Sequence, residues 1–198
     1  METDAQARLL EFAAPLFAQK GFAAVSIREL AQAADVSIAL IYYYFGGKEG
    51  LYQAVLEAQF APIEVLLEKV RGLSPMPPEE GVRLYARGVV EVHRRSPYLL
   101  RLMNSELVKP TACFDVVIQK YISQILASLS AVLREGAASG IFKDNLNEQY
   151  ATISLAGSMN FFFIAKPLLM SFAPLPEFTD EVYADQIVDI FLHGIMRP

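Results

Sequence analysis

Apolar side chains recur at intervals of three and four through almost the whole chain, the spacing of one helical face, and no stretch alternates convincingly enough to read as a strand. Residues 3–20 place Leu9, Leu10, Ala13, Leu16 and Phe17 on one stripe, with Gly21 as the stop. Ile27, Leu30, Ala31 and Ala34 repeat the spacing, leaving Arg28, Glu29 and Gln32 outside; Ser26 before them and Glu29 three residues on form a capping box. Ala34-Asp35-Val36 predicts a turn, Ser37 the cap of a second short helix over 38–45, and Gly46-Gly47 its end. A longer helix over 48–72 follows, then a loop at Ser74-Pro75-Met76-Pro77-Pro78 and helices over 79–95, 98–108, 112–139, 147–172 and 179–195. Pro15, Pro62 and Pro167 are expected to bend the helices that hold them, and Pro174 and Pro176 to break the chain before the last one. The pattern predicts an all-α fold of about nine helices.

Two short helices around a tight turn make a helix-turn-helix, whose second helix can enter a DNA major groove. That geometry alone is common in all-α proteins, but the residues here go further. Ser37-x-x-x-Ile41-Tyr42-x-Tyr44-Phe45-x-x-Lys48-Glu49-x-Leu51 resembles the signature of TetR-type bacterial transcriptional regulators. So do Phe17-Ala18-Gln19-Lys20-Gly21-Phe22 and Val25-Ser26-Ile27-Arg28-Glu29-Leu30-Ala31 before it. The resemblance covers roughly the first quarter of the chain. It implies a three-helix DNA-binding domain over 1–50 and a larger helical domain over 51–198 that binds an effector and dimerises. It further implies a homodimer, joined through the last two helices, on double-stranded operator DNA, with repression relieved by the effector as the commoner arrangement. Asp35 stands where the family usually has glycine; aspartate tolerates the left-handed conformation better than most residues.

By this resemblance Tyr42 and Lys48 match positions that touch the DNA backbone. A phenol and an ammonium beside a helix start suit phosphate, which is the preferred reading of Tyr42 over a half-buried aromatic that closes the small core. Tyr43 and Tyr44 are candidates for base edges or thymine methyls, or merely for filling shape. Ser26 and Arg28 could reach phosphate or guanine, and Arg28 could equally be a solvated charge. Ser37, Ile38, Ala39 and Leu40 form the first turn of the recognition helix, which holds no Arg, Lys, Asn or Gln for a bidentate base contact.

Composition changes this picture in two ways. Net charge is −5, and the first fifty residues set Arg8, Lys20, Arg28 and Lys48 against Glu2, Asp4, Glu11, Glu29, Asp35 and Glu49. There is no general basic field, so phosphate contacts must rest on a few placed groups and helix N-termini. The acidic head and apolar recognition helix leave one alternative open, a helical ligand carrier or interaction module whose helix-turn-helix is only structural. A hydrophobic fraction of 54% is high for a soluble monomer and calls for extra buried surface, in an oligomer interface or a cavity. Leu155, Met159, Phe162 and Phe163, with Val182, Ile187, Ile190, Phe191 and Gly194, are expected to supply core in part, and the resemblance implies that the remainder form a two-fold four-helix interface.

For the effector, His93, Tyr98, Met103, Asn104, Glu106, Tyr121, Met159, Asn160 and Phe163 offer apolar surface with a few polar groups, the make-up of a small-molecule site. Basic groups are scarce there, which points to an apolar or aromatic effector and away from a polyanion. Cys113, the single cysteine, excludes an internal disulfide framework and fits a reducing cytoplasm; it reads as a buried inert thiol, with a redox sensor as the alternative. The polar N-terminus shows no signal peptide, and the apolar run 153–165 is interrupted by Asn160 and closed by Lys166-Pro167, which argues against a membrane span. Two histidines and one cysteine, far apart, give no metal-ligand spacing. No phosphate loop, nucleophile elbow or HExxH points to an enzyme, and no cofactor is expected.

Overall fold

The computed structural model describes residues 2–71, 76–172 and 179–197. Among them are nine α-helices: α1 (Glu2–Lys20), α2 (Ile27–Ala33), α3 (Ile38–Phe45), α4 (Lys48–Arg71), α5 (Pro78–Arg95), α6 (Leu99–Val108), α7 (Lys120–Ala138), α8 (Glu148–Phe172) and α9 (Asp180–Ile195). The fold is all-α; one isolated bridge, Phe142 to Met196, is the only extended pairing among these residues. Pro15, Pro62 and Pro167 lie inside helices that continue through them. The predicted breaks at Ser74-Pro75 and at Pro174 and Pro176 fall outside the described residues. The helix expected over 112–139 opens instead with a π-wound stretch, Phe114–Gln119. Thr111 explains the start, since its hydroxyl accepts the Cys113 N–H at 3.2 Å. The wider winding then turns Val117, Ile118 and Tyr121 into the core.

The chain forms two compact units, Met1–Ala61 with Ser96–Tyr121, and Pro62–Arg95 with Ile122–Pro198. In the first, Leu9, Ala13 and Phe17 of α1 are buried with Leu30 and Ala31 of α2 and Ile41 of α3. Gly46 ends α3 in the left-handed conformation (φ 73°), its N–H returning to the Tyr42 carbonyl. Gly50 is required for a different reason: a Cβ there would lie 1.8 Å from the Phe45 carbonyl oxygen, so only glycine lets α4 start so close to the end of α3. The second unit is built on a core of Val82, Ala86 and Val90 from α5, Leu129 and Leu133 from α7, Leu155 and Met159 from α8, and Val188 and Leu192 from α9.

One sequence expectation changes here. Glu106 is not a ligand-facing group. It is 1% exposed, and its carboxylate accepts the Tyr52 hydroxyl at 2.7 Å, the Thr111 N–H at 2.9 Å and the Thr111 hydroxyl at 3.0 Å. It locks the end of α6 to the first turns of α4, and the same carboxylate, with burial, pushes the Tyr52 phenol well above its usual range. Cys113 is buried beside this knot, and burial pushes its thiol up, away from the thiolate a redox sensor needs.

Taken as whole helices rather than one uninterrupted run, Phe114–Ala138 and α8 are long and apolar enough to cross a membrane by length and composition alone. For α8 the reason is an outer face that the chain itself leaves uncovered: Ile153, Phe161, Ile164 and Leu168 are all exposed.

Removing one donor from a buried carboxylate leaves an acceptor unsatisfied. Tyr52→Phe is therefore expected to cost about 1–3 kcal/mol, read from the urea midpoint at unchanged helix content.

Candidate nucleic-acid interface

The N-terminal helices fold as the capping pattern requires. Ser26 holds the extended conformation before α2, and its hydroxyl accepts the Glu29 N–H at 3.2 Å. The turn closes at Asp35, the one non-glycine with positive φ (51°) among the described residues, and Arg8 reaches its carboxylate at 3.4 Å. Ser37 takes the N-cap position of α3, but its hydroxyl makes no cap bond and stays exposed.

Around α3, Ile41 is fully buried while Ile38 and Leu40 are half-buried. At about 100° per residue, the positions opposite Ile41 are Ala39 and Tyr43. Both are exposed, Tyr43 to 73% of its surface. Tyr42, 58% exposed, stands on the flank with its ring 3.5 Å from where a Cβ on Gly47 would be. Tyr44 is half-buried, its ring edge-on to Tyr43 at 5.0 Å, so it braces Tyr43 instead of facing outward. Ser26, Arg28, Ser37, Ala39, Tyr42 and Tyr43 are thus presented to solvent.

Lys48 is turned inward. Its ammonium donates to the carbonyls of Phe22 and Val25, each at 3.0 Å, and lies 4.3 Å from the centre of the Phe22 ring. It ties the start of α4 to the segment between α1 and α2, leaving one of three donors uncommitted. Sequence reasoning had no signal for this role, because the partners are backbone carbonyls.

The effector candidates divide between the units. Tyr98, Met103, Asn104, Glu106 and Tyr121 belong to the first, and His93, Met159, Asn160 and Phe163 to the second. In the first, Tyr121 is buried and stacked on Phe60 at 5.1 Å, while the Tyr98 N–H is taken by Gln59. Met103 and Asn104 are half-buried. In the second, Met159 is plain core. His93, Asn160 and Phe163 do meet: the rings of His93 and Phe163 lie 4.2 Å apart, and His93 Nε2 is 3.1 Å from Asn160 Oδ1. Asn160 spends its amide N–H on the Ala156 carbonyl, so its oxygen faces the histidine and Nε2 carries the proton. Burial holds His93 below the usual histidine range, against the Asn160 hydrogen bond and the Asp180 charge, which raise it.

One feature of the second unit escaped sequence reasoning. Leu66 and Leu67 of α4, Gly81 and Tyr85 of α5, and Ile125, Ser128, Leu129 and Val132 of α7 line an apolar slot of about 30 Å³, room for a water. Burial pushes the Tyr85 phenol up, and its hydroxyl has no hydrogen-bond partner among the described residues. Gly81 and Tyr85, four apart on one helix face, were the available signal.

An exposed second helix on a capped helix-turn-helix, joined to a second helical unit, is the architecture of a DNA-binding regulator. Profile comparison agrees along the chain. Residues 9–55 match "Bacterial regulatory proteins, tetR family", and residues 78–186 match "Tetracyclin repressor-like, C-terminal domain". The chain is 25% identical over 194 residues to the HTH-type transcriptional repressor NicS of Pseudomonas putida, covering 96% of this chain and 91% of that one. It is likewise 25% identical over 183 residues to the probable HTH-type transcriptional regulator YttP of Bacillus subtilis, covering 92% and 83%. Similar folds include the regulator PfmR of Thermus thermophilus (TM-score 0.76, 24% identity, 96% and 100% covered). Another is the ketosteroid transcriptional regulator KstR2 of Mycobacterium tuberculosis (TM-score 0.73, 19% identity, 98% and 95% covered). The chain belongs to the TetR family: it is a DNA-binding transcriptional regulator that acts as a dimer, and not an enzyme.

His93 gives the second unit a pH signature. Between its depressed folded pKa and the unfolded value of about 6.5, the unfolded chain holds a proton that the folded chain lacks. Its contribution to stability is complete above that value and declines as pH falls below it. In thermal unfolding at a series of pH values, His93→Gln is expected to flatten the fall in Tm on the acid side of neutrality.

Proposed function

We propose that this regulator is a cytoplasmic repressor, dimeric through α8 and α9, that leaves a palindromic operator when a small apolar or aromatic effector binds. The work divides at residue 50: residues 1–50 read DNA, and residues 51–198 dimerise and bind the effector. The observation that carries the reading is the uncovered apolar face of the last two helices. Ile153, Phe161, Ile164 and Leu168 on α8, with Val182 and Ile190 on α9, stand exposed in the single chain. Gly157 and Gly194 lie on the same helices with nothing within 4 Å of where a Cβ would be. No packing among the described residues requires glycine at either place, whereas a helix pressed against them would. Leu155, Met159 and Phe162 are buried within the chain, so the predicted apolar set splits between core and exposed surface, which supports an interface there. A two-fold dimer supplies the symmetry that a palindromic operator requires, whose half-sites lie about 34 Å apart.

The slot around Tyr85 supports the apolar effector. Its lining holds no charged side chain, and its volume is far below what a small molecule needs, so binding must part α5 from α4 and α7. One relative of similar fold is a ketosteroid transcriptional regulator, which fits a ligand of this chemistry. Leu66 and Leu67 of the slot lie on the same helix as Lys48 and Tyr52. A tilt of α4 that opens the slot therefore reaches the DNA-reading helices. A hundredfold loss of DNA affinity requires about 2.7 kcal/mol of coupling, within the usual range.

Phe161→Asp places a charge in the proposed interface while leaving the core untouched. Light scattering is expected to show a monomer and anisotropy to show lost operator binding; a dimer that still binds would place the interface elsewhere. For the effector, apolar compounds that raise Tm are titrated with and without operator. Reciprocity requires each effector to bind more weakly to the DNA complex, by the same factor as it weakens DNA binding. Equal affinity for both forms would end the proposed switch.

A further inference from the structure

A protein that grips DNA ordinarily does so through several lysines and arginines that displace counterions, and its affinity falls steeply with salt. The head of this protein is built otherwise. Arg8 lies against the Asp35 carboxylate, and Lys20 is ion-paired with Glu29, which holds that carboxylate below its usual range. Lys48 points inward to two carbonyls, and Glu49 follows it in an exposed position. Arg28 is exposed and has no partner among the described residues. On α3, the two side chains opposite buried Ile41 are a methyl group and a phenol, those of Ala39 and Tyr43, and Tyr44 braces the phenol edge-on.

We infer that each subunit holds its operator with Arg28 as the one cation that is both exposed and without a partner among the described residues of the head, and that Ala39 and Tyr43 select thymine by its C5-methyl group. This rests on α3 being the groove-reading helix. The chemistry follows from what a methyl and an aromatic ring can distinguish in the major groove. They offer no bidentate hydrogen bonds to guanine or adenine, whereas the thymine methyl is the apolar feature among the bases. Opening the Arg8 and Lys20 pairs to reach phosphate would leave Asp35 and Glu29 facing the DNA, which returns the gain as repulsion.

The test uses the full-length dimer and a duplex that it selects from a random library, titrated by anisotropy over a range of KCl concentrations. The expected slope of log K against log[KCl] lies between about −2, for Arg28 alone, and about −4, if the third Lys48 donor also engages. Arg28→Ala flattens the slope by about two. Glu29→Gln, which keeps the backbone cap to Ser26 but frees Lys20, steepens it by about two and tightens binding. Replacing the selected thymines with deoxyuridine removes only methyl groups. It is expected to weaken the wild type by about fourfold per contacted methyl and to leave a doubly substituted Ala39→Gly, Tyr43→Ser protein indifferent. Melting curves establish that each variant is folded. A wild-type slope of about −5 or steeper, an unchanged slope in Glu29→Gln, or wild-type indifference to deoxyuridine would each overturn the inference.

Discussion

Tyr52 is the side chain on which the first unit depends. Its ring meets Phe17 at 4.8 Å and Phe22 at 4.9 Å, and its hydroxyl meets Glu106 at 2.7 Å. One residue of α4 thus gathers the end of α1, the segment leading to the helix-turn-helix, and the end of α6. The Glu106 carboxylate is buried without a cation and persists because three donors converge on it. If α6 shifted, the carboxylate would lose Tyr52, and the aromatic packing behind the reading head would loosen with it. A network this fully satisfied has few intermediate positions, which is the property a switch element needs.

The helices were legible because their signals are local. Ser26, Gly46 and Thr179 cap or end helices through bonds to residues three or four away, and the three- and four-residue apolar spacing needs no tertiary knowledge. The reading head was legible because its order of tyrosines, Lys48 and Leu51 is dense and contiguous. The π-wound stretch that leads into α7 was not, because its start is set by Thr111 and Glu106, which are themselves arranged by Tyr52 far away in the chain. Glu106 and Lys48 have partners that the sequence did not announce, for a shared reason. A charged residue in sequence is read as solvent- or ligand-facing, whereas these two meet a phenol, a threonine and backbone carbonyls that no charge pattern announces. The slot at Tyr85 was hidden because its walls come from three helices.

The apolar surplus evident in composition now has an address. The buried half of α8 packs with Val188 and Leu192 of α9, while Ile153, Phe161 and Leu168 stand exposed. A helix with apolar residues around most of its circumference is stable in water only when both sides are covered. If the proposed interface lies here, dimer and fold are two outcomes of one sequence pattern, and a lone subunit would expose a patch prone to nonspecific association.

That coupling bears on how so acidic a head can hold DNA. With four basic and six acidic residues in its first fifty, one head gains little from the phosphate field. Linking two heads makes the second contact intramolecular, so affinity comes from an effective concentration and not from charge. Such a design is sensitive to geometry: when the two recognition helices no longer match the groove spacing, the second contact is lost and the first is too weak to persist. A strongly basic head would instead cling to DNA nonspecifically after the same displacement. The scarcity of free cations and the proposed switch therefore support each other, since a modest tilt of α4 would release a protein whose single-head grip is weak.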